Sequence, residues 1–475
     1  MNERKLPNLY LSLFPIALLI VNILVGIRLL NASPHIPMLL TTVITILIGM
    51  FVLKFKWSEL ESGMLESISS TMSSVIILMI VGIVISTWIL SGVVPSMIYY
   101  GLKLINPHFF LPCVLIVCSI VSLSIGSSWT TVATVGVAFI GIGTSMGFSL
   151  SMTAGAIISG AYFGDKMSPL SDTTNLAPAV AGTNLYAHIK HMCYTTGVSY
   201  GLSFIFFTFL SLRTGGGESN LESINIMAQN LSNHFYISPV LLLIPCAIIA
   251  MAVLKIPPLL GLIGGSVLAS IFAVIWQGAS IADIIDCMHY GYVSETGIAD
   301  LDELLSRGGL NSMMWTVSLI LIAMMYAGVM EKLRMIESVT TTLSQCIRSR
   351  GSLILATALT SIGINFTTGE QYLSIVIPGR MYKEEYRKRN LDPKNLSRVV
   401  EDCGTITSPL IPWNGCGAFM QATLGLAPWV YVPFCLFNII NPIVSVAFGY
   451  LNITMAPLQS EKEEVKTNSP HRDAL

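Results

Sequence analysis

Of 475 residues, 53% are hydrophobic and only 11% are charged, with a mean hydropathy of +0.72. Soluble domains carry about 25% charged residues, so a soluble globular fold is excluded, together with a disordered chain, a collagen and a disulfide scaffold. The formal net charge of −1 and a pI near 6.7 give no support for nucleic-acid binding. What remains is an integral membrane protein, with the lipid bilayer as its solvent. The nine cysteines are scattered without a C-x-x-C pair, so neither disulfides, a zinc site nor any other cofactor is expected. Arg4 and Lys5 precede a first apolar run with no small-residue cleavage site behind it, which argues against a cleaved signal.

A spanning helix needs about 20 apolar residues. In chain order the candidate segments run from Tyr10 to Leu30, Ile36 to Leu53, Met72 to Val94, Phe109 to Ser124 and Trp129 to Gly147. Next come Ser149 to Phe163, Met192 to Leu212, Tyr236 to Leu254, Pro257 to Trp276 and Asn311 to Met330. The last are Ser352 to Phe366, Gln371 to Pro378, Gly415 to Leu424 and Ala427 to Leu451. Ser149 to Phe163 and Gln371 to Pro378 are too short to cross, and each abuts a polar island rich in Gly, Pro, Ser and Thr. Broken or re-entrant helices have this pattern, and lipid tolerates them only when they are buried in protein or line a cavity. The expected fold class is an all-α polytopic membrane protein of about 10–13 membrane segments, with inverted repeats and interrupted or re-entrant helices.

Lys and Arg bias sets orientation. Arg4 and Lys5 lie before the first span and Lys54 and Lys56 after the second, with none between, so the N-terminus is expected in the cytoplasm. A second basic loop, with Arg380, Lys383, Arg387, Lys388, Arg389, Lys394 and Arg398, is expected on the same side. The stretch from Ile281 to Ser306 holds six Asp and Glu and no Lys or Arg, and is expected outside.

An internal repeat is legible. Gly164 to Leu170 aligns with Gly404 to Leu410 at an offset of 240, and at that offset Ser127 and Ser128 meet Thr367 and Thr368. Equivalent linkers carry opposite charge character, so the repeats are inverted, a signature of secondary transporters. The expected organisation is residues 1–71 as N-terminal spans and linker, 72–212 as the first repeat, and 213–310 as connecting spans with the acidic segment. Residues 311–451 then form the second repeat and 452–475 a polar tail. The amphipathic stretches Leu221 to Phe235 and Glu331 to Arg350 are expected at the membrane surface or between the halves.

Chemistry concentrates in Ser159 to Pro178, which sets Asp165, Lys166, Ser168, Ser171, Asp172, Thr173, Thr174 and Asn175 between apolar segments. Clustered charge at membrane depth costs about 2.5–3.5 kcal/mol per group on insertion scales and calls for a function. Glu401, Asp402, Thr405, Thr407, Ser408 and Asn414 recur in the second half. Oxygen-rich unwound backbone suits a small hard cation, and a desolvated carboxylate without its cation takes a proton instead. Competition of sodium and proton for one carboxylate is sufficient for exchange, and Asp172 is the first candidate. Asp165 is expected to be neutralised by Lys166 next to it. A third island pairs Ser127, Ser128, Trp129 and Thr130 with Thr367, Thr368, Gly369, Glu370 and Gln371, and Glu370 is the second candidate for proton coupling. His188 and His191 read as interfacial histidines, and Tyr99, Tyr100, Trp429 and Tyr431 as interface anchors.

The runs Gly126 to Gly136, Ser159 to Pro178, Gly369-Glu-Gln-Tyr372 with Pro378-Gly-Arg-Met381, and Glu401 to Gly417 closely resemble the NhaC-type sodium/proton antiporters. The resemblance extends from the third span to the last. It implies a bacterial inner-membrane antiporter, not an enzyme, that expels sodium using the proton gradient. It also implies ion-binding hairpin tips at Ser171, Asp172, Thr173, Thr174 and Asn175, and at Thr407, Ser408, Pro409 and Asn414. Asp172, Asn175 and Asn414 are then the expected sodium ligands. The chain departs from the family pattern at Glu370, where Asp is expected, at Cys403, where Ser is expected, and at Gly415, where Thr is expected. The alternative on the same scaffold is a sodium/proton-coupled malate/lactate exchanger, which needs a cationic group facing the substrate. The oligomeric state is left open, a homodimer being one option.

Overall fold

Lipid gives a backbone amide no partner outside its own segment, so a spanning chain is driven into helices. The computed structural model describes residues 5–30, 32–214, 218–254, 256–345 and 347–458, and pairing of extended backbone among them is limited to two isolated bridges. Arg4 and the tail from Gln459 onward lie outside the described residues.

The chain opens with α1 (Leu9–Leu29) and α2 (His35–Leu47), then α3 (Trp57–Leu90) and α4 (Val93–Leu104). Next come α5 (Phe110–Ile125), α6 (Ser128–Thr131), α7 (Val137–Ser145), α8 (Leu150–Met167), α9 (Asp172–Ala181) and α10 (Leu185–Thr214). A connecting group holds α11 (Glu218–His234), α12 (Leu243–Val253), α13 (Pro258–Phe272), α14 (Ile281–Tyr290) and α15 (Ala299–Leu305). The second half holds α16 (Leu310–Lys332), α17 (Met335–Gln345), α18 (Arg350–Thr368), α19 (Leu373–Lys388) and α20 (Pro393–Val400). It ends with α21 (Gly415–Leu424), α22 (Pro428–Tyr431) and α23 (Leu436–Leu451). Among the described residues eight helices are long and apolar enough to cross a membrane, or ten when two bent pairs each count as one span. Segments beyond those in the expected 10–13 are the interrupted ones, each too short or too polar alone.

Helix bounds expose the repeat more sharply than residue identity does. The ten-residue helices α9 and α21 begin 243 residues apart, as do α8 and α20, and as do the glycines Gly126 and Gly369 that close α5 and α18. The register of the repeat is therefore 243 and not 240. Ser127 and Ser128 correspond to Glu370 and Gln371, while Thr367 and Thr368 are back-bonded inside the last turn of α18.

Inversion follows from α3 against α16, the equivalent first helices of the two halves. Gly63 lies against the Gly328 carbonyl, Ser67 meets the Met324 sulfur at 3.8 Å, and the Gly309 amide donates to the Gly82 carbonyl at 2.7 Å. Residue numbers rise along one helix as they fall along the other, so equivalent helices run antiparallel and the halves are related by inversion. Small residues at positions 63 and 328 let the backbones approach, as in packed membrane helices.

Three segments differ from expectation. α3 starts 15 residues before Met72, because the amphipathic Trp57 to Thr71 stretch, with Glu59 in the first turn, continues the apolar run as one helix. The segment from Ala427 to Leu451 breaks after Phe434 with a 60° bend, where Pro433 cannot extend α22. Arg380 to Lys388, expected in a basic loop, continue α19, and Arg398 is fully buried on α20.

A Cβ at position 328 collides with the Gly63 backbone, whereas one at position 201 on α10 meets nothing within 4 Å. Gly328→Ala is therefore expected to destabilise by about 1–3 kcal/mol through overpacking, and Gly201→Ala to be neutral or stabilising. Thermal midpoints of the two variants in detergent check this; equal midpoints would remove the close crossing.

Candidate functional site

Four helix ends meet between the halves. α5 and α18 stop at Gly126 (φ 75°) and Gly369 (φ 65°), left-handed positions that favour a residue without Cβ. α9 and α21 start beside them, behind the N-cap residues Ser171 and Asn414. In the first half Gly126 lies directly against Leu170 and Ser171; in the second, Gly369 lies against the Trp413 carbonyl and accepts the Gly415 amide at 2.9 Å. Each half thus sets a carbonyl-bearing helix end beside an amide-bearing one, with partial charges near −0.5 and +0.5.

These ends enclose a cavity of about 500 Å³. Gly126 to Thr130, Asp165, Pro169 to Thr173 and Asn175 line it from the first half, and Glu370 to Tyr372 with Asn414 to Cys416 from the second. Thr71, Ser74 and Ile77 on α3 and the start of α13 complete the wall. Trp129 stacks on Phe419 of α21 with ring centroids 4.2 Å apart and planes 19° apart, joining one half to the other at the cavity's edge.

Three carboxyl groups line this space, and no Lys, Arg or His does among the described residues. Asp165, in the last turn of α8, is buried, and its Oδ2 accepts the Ser128 amide at 3.1 Å and hydroxyl at 2.7 Å. Asp172 is the first residue of α9 and is exposed towards the cavity, where the helix N-terminus favours an anion. Glu370 follows Gly369 and accepts the Tyr372 amide on Oε1 at 3.3 Å. Hydroxyls and amides stand between them. Ser171 and Thr173 share a 3.2 Å hydrogen bond, and the Thr130 hydroxyl donates to Ser127 at 3.1 Å. The Asn175 amide donates to the Pro169 and Ser171 carbonyls at 2.9 and 2.7 Å, so its Oδ1 is left as an acceptor. Asn414 Oδ1 accepts the Cys416 amide at 3.0 Å, and its amide group donates to Asn365 Oδ1 at 3.1 Å.

Four residues expected at the site stand behind its wall. Ser168 donates to the Leu123 carbonyl, Thr174 to the Asp165 and Lys166 carbonyls, Thr407 to the Cys403 carbonyl and Ser408 to the Thr405 carbonyl. Their hydroxyls tie down the turns that carry the lining residues.

Other expectations are corrected. Lys166 does not neutralise Asp165. Its side chain points away from the cavity and pairs with Asp402 of the second half, both fully buried, and Asp402 also accepts the Asn441 amide at 2.9 Å. Chain adjacency misled here because successive residues on a helix face different ways. His188 and His191, expected as interfacial histidines, are buried within the protein and bonded to Ser397 at 2.8 Å and Asn395 at 3.2 Å. Tyr431 is buried with its hydroxyl donating to the Pro409 carbonyl at 2.8 Å, so of that pair only Trp429 is exposed. Gln371, from the third polar island, lines the cavity, and so do Tyr372 and Cys416, which were not named as site candidates; the register of 243 places Gln371 opposite Ser128.

Comparison with known proteins places this geometry. The profile of the Na+/H+ antiporter family matches residues 160–453. The chain is 41% identical to the Na+/H+ antiporter NhaC of Alkalihalophilus pseudofirmus, over 92% of this chain and 94% of that protein. It is 38% identical to the Na+/H+ antiporter NhaC of Bacillus subtilis, over 89% and 93%. The malate-2H+/Na+-lactate antiporter of Bacillus subtilis is 33% identical, over 95% and 96%.

Removing one member of a buried ion pair leaves the other uncompensated, at a cost of about 3–5 kcal/mol. Lys166→Met and Asp402→Asn are each expected to lower the thermal midpoint strongly, and the double variant to recover most of the loss. A double variant as unstable as the two single losses added together would show that the pair is not coupled.

Proposed function

The chain belongs to the Na+/H+ antiporter family, and we propose that it exchanges sodium for protons across the bacterial cell membrane, with its N-terminus in the cytoplasm. One observation carries the reading: the cavity between the broken helices is lined by Asp165, Asp172 and Glu370 and by no basic side chain among the described residues. Carboxylates at membrane depth want a cation or a proton. Sodium takes its oxygens from Asp172, Asn175 and Asn414, with Asp165, the Ser171 to Thr174 turn, and Ser128 and Thr130 around them. Carbonyls at the ends of α5 and α18 add their negative dipole ends. A proton arriving at the same carboxyl displaces the cation, and the cation displaces the proton. Asp172 is the principal coupling group, because it is the most exposed of the three lining acids and heads α9 at a helix break.

The same observation weighs against an organic acid as the exchanged species. Such a substrate would need a cationic partner, and Lys166, the nearest basic side chain of the first island, is turned away onto Asp402.

Purified protein in proteoliposomes with an internal pH dye and an imposed pH gradient tests the reading. Addition of sodium alone is expected to move protons, and Asp172→Asn to reduce that movement to the background of empty vesicles. Asp165→Asn is expected to weaken sodium dependence by about tenfold or more, the scale of one lost charge-assisted contact. A response that needs malate or lactate, with sodium alone silent, would replace this function with organic-acid exchange.

A further inference from the structure

Behind the cavity lies a carboxyl group that the exchange site does not use. Glu401 opens the π-helical segment Glu401–Thr405, is fully buried, and neither carboxyl oxygen has a hydrogen-bond partner among the described residues. The Thr405 and Thr173 hydroxyls stand beside it without reaching bonding geometry. Asp402, the next residue, has Lys166 and Asn441; Glu401 has no such satisfaction. Buried carboxylates are normally paired or hydrogen-bonded, so an acid left this way in a π-helical segment is a functional signal.

Its surroundings are charged, and Lys166, the cation that faces it from α8, is already committed to Asp402. Lys166 and Asp165 approach from α8, Asp172 heads α9, and His188 and His191 face the segment from α10. Tyr382 and Tyr386 come from α19, Arg398 from α20, and Asp402 and Cys403 from the segment itself. α18 and α23 pack on it with no ionisable side chain nearby, since their own, Arg350 and Tyr450, sit at the far ends. Lys166 is held by Asp402, whereas Arg398 donates from Nη1 to Thr454 at 2.9 Å and its Nε and Nη2 have no hydrogen-bond partner among the described residues. Thr173 ties the group to the cavity: it lines that space and stands beside Glu401.

We propose that Glu401 is a second proton-binding carboxyl of the exchange cycle, outside the cation cavity and linked to it through the first turn of α9. With the cavity empty, the Glu401 carboxyl holds a proton. A sodium ion entering beside Asp165 makes an anion one layer deeper easier to hold, and the O–H bond of Glu401 breaks, its proton leaving to the aqueous side then open. When sodium departs, the carboxylate takes a proton back. This rests on the sodium/proton exchange proposed above and adds a second proton to the one displaced within the cavity.

The test counts protons released when sodium is added to purified protein in weakly buffered detergent solution, alongside binding of radioactive sodium. By linkage the wild type is expected to release about two protons per sodium bound at the pH where both groups are protonated, and Glu401→Gln about one. Sodium affinity of Glu401→Gln is expected to match wild type at low pH, where wild-type Glu401 also stays neutral, and to fall short of it by about tenfold or more at high pH, because coupling is reciprocal and the glutamine lacks the anion that favours sodium. Asp172→Asn, by contrast, is expected to lose sodium binding. Unchanged release from Glu401→Gln overturns the assignment, and so does a sodium affinity equal to wild type's at every pH; loss of sodium binding at every pH overturns it too, by putting Glu401 inside the cation site. A wild type that binds no sodium fails the exchange reading itself, and the assignment with it. Should Glu401→Gln not fold, sodium-induced infrared difference spectra of wild type and Glu401→Asp decide. A protonated-carboxyl band lost on sodium addition and displaced in Glu401→Asp is expected, and a band identical in the two proteins overturns the assignment.

Discussion

The constraint on which everything else depends is that a helix cannot simply stop inside a membrane. Its last carbonyls and first amides have no water to turn to, and each one left unsatisfied costs several kcal/mol. This chain stops α5 and α18 and starts α9 and α21 around one cavity between the halves, and it satisfies the ends by bringing them together. Gly126 lies on Leu170 and Ser171, and Gly369 accepts the Gly415 amide. Polar side chains follow from the same need. Ser128 caps towards Asp165, Asn175 closes the Pro169 turn, and Asn414 caps α21. The cation cavity is thus the space left where two such repairs face one another, and its oxygens are those the repairs require.

Duplication with inversion places two repairs in one site. Because α3 and α16 run antiparallel through close contacts at Gly63, Gly82, Gly309 and Gly328, equivalent breaks approach from opposite directions. The halves are not chemically equal, however. At the register of 243, Asp172 corresponds to Gly415 and Asp165 to Ser408, so the acids from the first half meet neutral positions in the second. Glu370 restores one carboxyl there, opposite Ser127. This asymmetry gives a nearly symmetric cavity one strongly anionic wall.

Legibility from sequence divided along physical lines. Wherever a single residue type forces the backbone, the reading was close. Gly415 to Leu424 was bounded as the structure has it, since Asn414 and Gly425 punctuate it on both sides, and the polar islands fell at the helix breaks because hydropathy collapses there. Wherever the answer depended on rotation about a helix axis, it was not available. Lys166 beside Asp165 looked like a neutral pair until the last turn of α8 turned the lysine to the opposite side. His188 and His191, next to Lys190, looked interfacial until α20 covered them. The repeat offset failed in the same manner: the Ser-Pro-Leu identity pulled the alignment three residues off a register that only helix caps reveal.

The ties between halves also limit how the cavity can open. Lys166–Asp402 joins the end of α8 to the segment after α20, and the Trp129–Phe419 stack joins α6 to α21. Pulling the first half's broken helices away from the second's would strand two buried charges, at a cost of about 3–5 kcal/mol, and expose two aromatic faces. No cation held by a few oxygens in a wet cavity offsets much of that. A movement that left this pair and this stack intact would carry α5 to α9 and α18 to α21 together. These helices face α3 and α13, whose contribution to the cavity is Thr71, Ser74, Ile77, Pro258 and Gly261, none of them charged. The cavity is thus divided between an uncharged wall from α3 and α13 and a wall from the broken helices that carries all three carboxyls.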